Sequence, residues 1–242
     1  NDFKSIRFIR MFTTDFADTT IMRLAKLQLV RGEWRRYNSE NSPAKVIADP
    51  SLINPGLDNS IIDVSAVNIE ENGKRTPIPY VLPPGITREI DFTNFRGESR
   101  QNEQSLALSV RNLRDGYGRA AFRTTMNDFC SYKRLEMFIH AEGDQLRDND
   151  LRAFLRVGTD NQDNYYDYEI PLKVTSPGTS SPGLIWPDQN KIDLELRLFL
   201  EAKAARNNAV FNGQPWPIFR RFSYQHGLNT FPVQGHPDLS KV

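Results

Sequence analysis

Cysteine is almost absent. The 242 residues hold a single one, Cys130, which excludes an internal disulfide and any zinc site built on a pair of thiolates. Next to Phe129 and close to Tyr132, it reads as a small buried hydrophobe, since free cysteine is among the most buried residue types. A catalytic thiol would need a partner histidine, and the three histidines, His140, His226 and His236, sit in no cysteine-hydrolase context. Charge of one sign is not in excess either. Lysine and arginine number 31 against 30 acidic residues, so a net charge of +1 supplies no general attraction to nucleic acid or to an anionic membrane. No apolar run is long enough to span a bilayer as a helix, and no charged leader with an apolar core and a small-residue cleavage site opens the sequence. The start at Asn1, without an initiator methionine, is what an excised piece of a longer protein would have. The 38% hydrophobic content suffices for an ordinary core, and the length suits one large β-domain or one domain with part of another.

What is present is alternation. Residues 118–172 read as three successive β-strands. Leu135, Met137, Ile139 and Ala141 alternate with Arg134, Glu136, Phe138, His140 and Glu142, the period of a strand with one buried face. Leu151, Ala153, Leu155 and Val157 repeat it against Arg152, Phe154 and Arg156; Tyr166, Tyr168, Ile170 and Leu172 repeat it against Tyr165, Asp167 and Glu169. If the strands are neighbours, Arg152 and Arg156 face Asp167 and Glu169, and such cross-strand pairs pin register. The fold class is therefore all-β, a β-sandwich of jelly-roll or galactose-binding-like type.

Elsewhere the signals are local. Residues 6–12 and 25–31 are strand-like, and 38–56 carries Pro43, Pro50 and Pro55 among serines and asparagines, the composition of a linker. Residues 61–69 form another strand, Asn72-Gly73 marks a turn, and the prolines of 77–85 forbid a central strand. After a loop at 176–183, Ile192, Leu196, Phe199, Leu200 and Ala204 recur near helical spacing, which predicts one short helix over 192–205 with Asn190 at its cap and Lys203 and Arg206 near its end. Residues 219–224 predict a late strand.

The candidate site is the polar strand face. Glu136, His140 and Asp167, with Phe138, Phe154 and Tyr165 among them, are the set that would bind a ligand on a concave sheet, by ring stacking and a few hydrogen bonds as in carbohydrate-binding domains. Carboxylate pairs at suitable separation, Glu142 and Glu169 included, keep a jelly-roll glycosidase as a further reading, although none sits in a glycosidase motif. A salt-bridged, solvated face is the simpler account. Asp160, Asp163 and Asn164 are oxygen-rich but lack the glycine and terminal glutamate of an EF-hand, so no metal is expected and the loop reads as a hydrophilic turn. Arg31, Arg35 and Arg36 beside Trp34 and Tyr37 are too short a basic run for nucleic acid and are better explained by arginine packing on rings. Pro215-Trp216-Pro217 reads as a rigid aromatic loop. No nucleophile–base pair and no cofactor fingerprint stands out, so the chain reads as non-enzymatic and cofactor-free.

An ordered series of segments carries a family resemblance. GRAAFRTT (118–125), YKRLEMFIHAE (132–142), FLRVGTD (154–160) and NYYDYEIPL (164–172) resemble the soluble module of SprA/Sov proteins, outer-membrane translocons of the type nine secretion system in Bacteroidetes that are associated with gliding motility at the cell surface. PPGITR (83–88), QNEQSLAL (101–108), Trp186-Pro187, LFLEAKAARN (198–207) and the opening 3–37 agree with it in order. The resemblance implies a non-enzymatic module of an export machine, a scaffold, cap or docking surface. It would contact the translocon barrel, accessory subunits or secreted cargo, would meet the membrane only through its parent protein, and would lie on an aqueous side, the extracellular one by preference. It further implies that 1–37 are the final strands of a preceding module, 38–100 a linker with entry strands, and 101–242 the sandwich.

Overall fold

Strict alternation of side chains does build the central sheet. The computed structural model describes residues 17–18, 21, 34–37, 59–88, 90–91, 99–100, 103–125, 127–160 and 162–241. The strand-like segments read at 6–12 and 25–31 and the linker read at 38–56 lie outside the described residues. Two units divide the chain, Asn1–Glu33 and Trp34–Val242, and every element named below belongs to the second. Its longer strands are β1 (Ile61–Asn68), β2 (Gln104–Arg111), β3 (Arg134–Met137), β4 (Arg152–Gly158), β5 (Tyr165–Pro171), β6 (Ile192–Glu195), β7 (Phe222–His226) and β8 (Asn229–Gln234). The helices are α1 (Ile69–Asn72), α2 (Pro182–Ile185) and α3 (Arg197–Asn208). The fold is all-β, with several antiparallel sheets and few helices, as in a β-sandwich.

Strands β4 and β5 form a hairpin in the register Leu155↔Tyr168, Arg156↔Asp167 and Val157↔Tyr166, and β8 and β7 extend it to a four-stranded sheet ordered β7-β8-β5-β4. The alternating apolar set points to one side. Tyr166, Tyr168 and Ile170 of β5 meet Phe231 and Val233 of β8 in the main core, over which α3 lays Phe199 and Ala202. Tyr166 stacks on Phe199 with centroids 5.0 Å apart and planes 19° apart. Gly235, at φ +67°, follows β8 so closely that a Cβ there would collide with the backbone carbonyl oxygen of Asp163 in the β4–β5 turn.

Six expectations are corrected. Of 134–142 only Arg134–Met137 is a strand, and it pairs with β6 rather than with the β4–β5 hairpin. The ladder ends at Met137 because β6 offers just four residues, and beyond it Phe138 and His140 turn to pack on Trp186. The helix read over 192–205 is a strand followed by a helix: Ile192 and Leu194, two apart, are both fully buried, so this stretch has the period of a strand. Asn190 caps nothing; fully buried, it accepts from the Lys173 N–H at 2.7 Å and donates to the Lys173 carbonyl at 2.8 Å, closing a loop instead of a helix. Leu200 faces solvent, since α3 buries Leu198, Phe199, Ala202 and Arg206.

The late strand begins at Phe222 instead of Phe219, because Arg220 donates its N–H back to the Pro217 carbonyl and its guanidinium lies over Phe211 and Trp216. Cys130 is exposed, not buried. It sits in the 3-10 turn Phe129–Ser131, whose start is fixed by the Asp128 carboxylate accepting the Cys130 N–H at 2.8 Å, and that turn aims the thiol outward. The turn at Asn72-Gly73 and the lack of a strand across 77–85 match the reading of the sequence. So does the packing of Arg35 over Phe122, at 5.2 Å from the ring centroid.

Candidate functional site

The outer face of the β4–β5 hairpin concentrates the charged candidates. Period-two geometry sends Phe154 and Arg156 to the side opposite Leu155, and Tyr165, Asp167 and Glu169 to the side opposite Tyr166. Arg156 meets Asp167 in a two-bonded pair, Nε to Oδ1 at 2.7 Å and Nη2 to Oδ2 at 2.8 Å. Asp167 is fully buried, and Arg221, from the residue just before β7, approaches its Oδ2 at 3.5 Å and ion-pairs with Glu169. Burial alone would lower the affinity of Arg156 for its proton; the hydrogen bonds and charge of Asp167 outweigh it and raise its pKa. The same opposition, with Glu169 and Asp167 as the anions, raises that of Arg221. The Arg156 guanidinium lies 3.5 Å from the Tyr165 ring centroid and 5.9 Å from that of Phe154. Tyr165 donates its hydroxyl to Gln234 Oε1 at 3.0 Å, and burial pushes its pKa up.

The remaining candidates gather elsewhere. Phe138 and His140 pack edge-on against Trp186, with centroids 6.5 and 5.8 Å away, in a second core with Ile78, Tyr80 and Ile185. Trp186 donates Nε1–H to the Val81 carbonyl at 2.9 Å, which ties the proline-rich 77–85 segment to α2. Burial lowers the His140 pKa, Glu142 acts against this and Arg75 with it; Arg75 itself pairs with Glu142. The Nε2 of His140 and one oxygen of Glu142 are buried without a hydrogen-bond partner. Glu136 is exposed and pairs with Lys191 at 3.0 Å, while Lys191 also lies over Phe138 at 5.5 Å. Thus Phe154, Tyr165 and Asp167 come together, Phe138 and His140 form a second group, and Glu136 stands at the rim of the second. One open groove, about 340 Å³, borders neither ring set; residues 143–148 and 174–177 line it.

The Asp160 carboxylate is spent on its own loop. Its Oδ1 accepts from the N–H groups of Gln162, Asp163 and Asn164, and its Oδ2 from the Asn164 side chain at 2.7 Å. Burial pushes its pKa up, yet these four donors hold it down to about 2. Among the described residues no cluster of ligating side chains is arranged for a metal ion. Sequence reasoning missed Arg221, although the Arg220-Arg221 pair inside the expected 219–224 strand was a legible cation opposite the acidic face of β5.

A family model described as SprA_N, motility related/secretion protein, matches residues 1–242. The chain belongs to the SprA_N family. Compared with curated proteins it has no match. Membership gives this SprA_N chain a secretion- or motility-related role, and none of its described helices is long and apolar enough to cross a membrane. In this SprA_N chain segment 132–142 contributes Leu135, Ile139 and Ala141 to the main core and Phe138 to the second, and segment 164–172 contributes Tyr166, Tyr168 and Ile170 to the main core and Asp167 and Glu169 to the charged face.

Proposed function

We propose that this chain is a non-enzymatic module of an outer-membrane protein-export translocon, serving as a scaffold, cap or docking surface for accessory subunits or cargo on the extracellular side. In this reading the sandwich has a jelly-roll winding, with 1–37 belonging to a preceding module and 38–100 leading into 101–242. One observation carries it beyond the family: the charged groups of the candidate face are matched to one another. Asp167 is enclosed by Arg156 and Arg221, Glu169 is held by Arg221, and Glu136 is paired with Lys191. A glycosidase needs its acid and its base turned toward a sugar ring, whereas these carboxylates are turned toward arginines and a lysine. A stacking platform needs open ring faces, and those of Tyr165 and Phe138 carry Arg156 and Lys191. What is left to act is the shape of the surface.

The test is made in cells and in vitro. Removing residues 34–242 from the parent protein should leave secreted cargo inside the cell or prevent the translocon from assembling, and normal export would overturn the role. The purified chain should bind no glycan on an array and release no sugar from polysaccharides. Turnover abolished by Glu169→Gln would establish an enzyme instead.

A further inference from the structure

Among the described residues, strand β2 is paired along one side only, by β1, from Ile61↔Arg111 to Asn68↔Gln104. An open edge presents a row of backbone N–H and C=O groups, which proteins ordinarily guard with an inward charge, a proline or a bulge. Between Gln104 and Val110 the sequence is QSLALSV, and it contains no such charge or proline. Exposure points to the same edge. On the face shared with β1, Ile62 is buried and Val64 half-buried, whereas Leu106, Leu108 and Val110 of β2 are 39%, 47% and 37% exposed. Apolar surface is thus left open on the side of the edge that no other described strand pairs.

The ends of this edge carry opposite charges. Glu103 precedes the strand, held by the Tyr80 hydroxyl at 2.5 Å, and Arg111 closes it, held by Asp63 at 2.7 Å. In an antiparallel ladder, residues whose backbone groups point outward must face residues that do likewise. Two copies of one strand therefore pair about a two-fold axis through a residue, never between two. The axis through Ala107 uses the whole strand. It sets Leu106 against Leu108 of the second copy, and Glu103 against Arg111 of the second copy, at both ends at once. We propose that β2 is a self-pairing edge, through which two copies of this chain join about Ala107 into one continuous antiparallel sheet of order β1-β2-β2-β1. This goes beyond the secretion role and does not rest on it.

Sedimentation of the 242-residue chain from about 1 µM to about 1 mM should show a monomer giving way to a dimer. Leu108→Lys puts a charge on an exposed side chain of the edge and should raise the dimer dissociation constant about tenfold or more, with the far-ultraviolet circular dichroism unchanged. Charge reversal tests the register. Arg111→Glu and Glu103→Lys should each weaken the homodimer by facing like charges across both ends, and an equimolar mixture of the two variants should restore association, since every facing pair is then of opposite sign. Should Glu103→Lys unfold the Tyr80 contact, Leu108→Lys and Arg111→Glu still decide. A chain that stays monomeric throughout overturns the proposal, including the case in which a strand of another protein takes the edge. So does a dimer indifferent to Leu108→Lys.

Discussion

Arg156 and Asp167 grip each other through two hydrogen bonds of 2.7 and 2.8 Å, with the carboxylate fully buried and the guanidinium laid over the Tyr165 ring. The pair sits directly cross-strand, so it locks the β4–β5 register as well as neutralising two desolvated charges. Removing one partner strands the other. Asp167→Ala should destabilise the domain by about 3–5 kcal/mol, the usual range for breaking a buried pair, whereas Arg152→Ala, at a half-exposed pair with Glu169, should cost about 0–1 kcal/mol. Urea denaturation of the two variants checks the order; equal losses would contradict it.

Helix α3 offers an internal contrast between neighbours. Phe199 is fully buried against Tyr166 and Phe231, while Leu200 is more than half exposed. Phe199→Ala should cost about 3–5 kcal/mol through the cavity it leaves, and Leu200→Ala should stay within about 0.5 kcal/mol. Thermal unfolding of both proteins measures it.

Two glycines with positive φ separate backbone strain from crowding. At Gly178, φ +81°, an added Cβ meets open space, so Gly178→Ala should lose only the preference of the backbone, about 1 kcal/mol. At Gly235, φ +67°, the Cβ would strike the Asp163 carbonyl, and Gly235→Ala should lower the melting temperature further and loosen the β4–β5 turn. Hydrogen exchange at Asn164, whose N–H bonds to Asp160, reports the loosening.

His140 predicts a dependence on pH. Its folded pKa lies below the ordinary 6.5 because burial against Trp186 disfavours the cation, with Arg75 adding to this and Glu142 opposing it. The unfolded chain therefore takes up the proton first as pH falls. The stability that neutral His140 contributes is complete above about pH 6.5 and is lost as pH drops through the lowered folded value. His140→Phe should flatten the denaturation midpoint between pH 7 and pH 5, relative to the parent chain, and an unchanged slope would refute the assignment.

The sequence was explicit wherever one period ruled. Alternation along 151–157 and 165–172 named the inner residues Tyr166, Tyr168 and Ile170 and the facing charges Arg156 and Asp167, and the fold joins them in that register. It was ambiguous where two periods overlapped. Ile192, Leu196 and Phe199 satisfy a helical spacing, and only the burial of Ile192 beside Leu194 in a ladder with β3 shows that the run begins as a strand. Cys130 was misread because type predicts average burial, whereas a 3-10 turn capped by Asp128 decides where one side chain points.

The sequence by itself determined the all-β class, the family and the hairpin that anchors the main core, because these depend on local period and on ordered wording along the chain. Tertiary structure alone decided what the polar face became. Whether Asp167 meets solvent or two arginines depends on Arg221, 54 residues away in the chain, and on β8 pairing with β5 on one side and β7 on the other. Whether Phe138 and His140 face a groove or a core depends on Trp186 being tied to Val81 from 105 residues away. A side chain's period fixes the side on which it emerges, and only long-range packing settles whether water, a ligand or another part of the protein waits there.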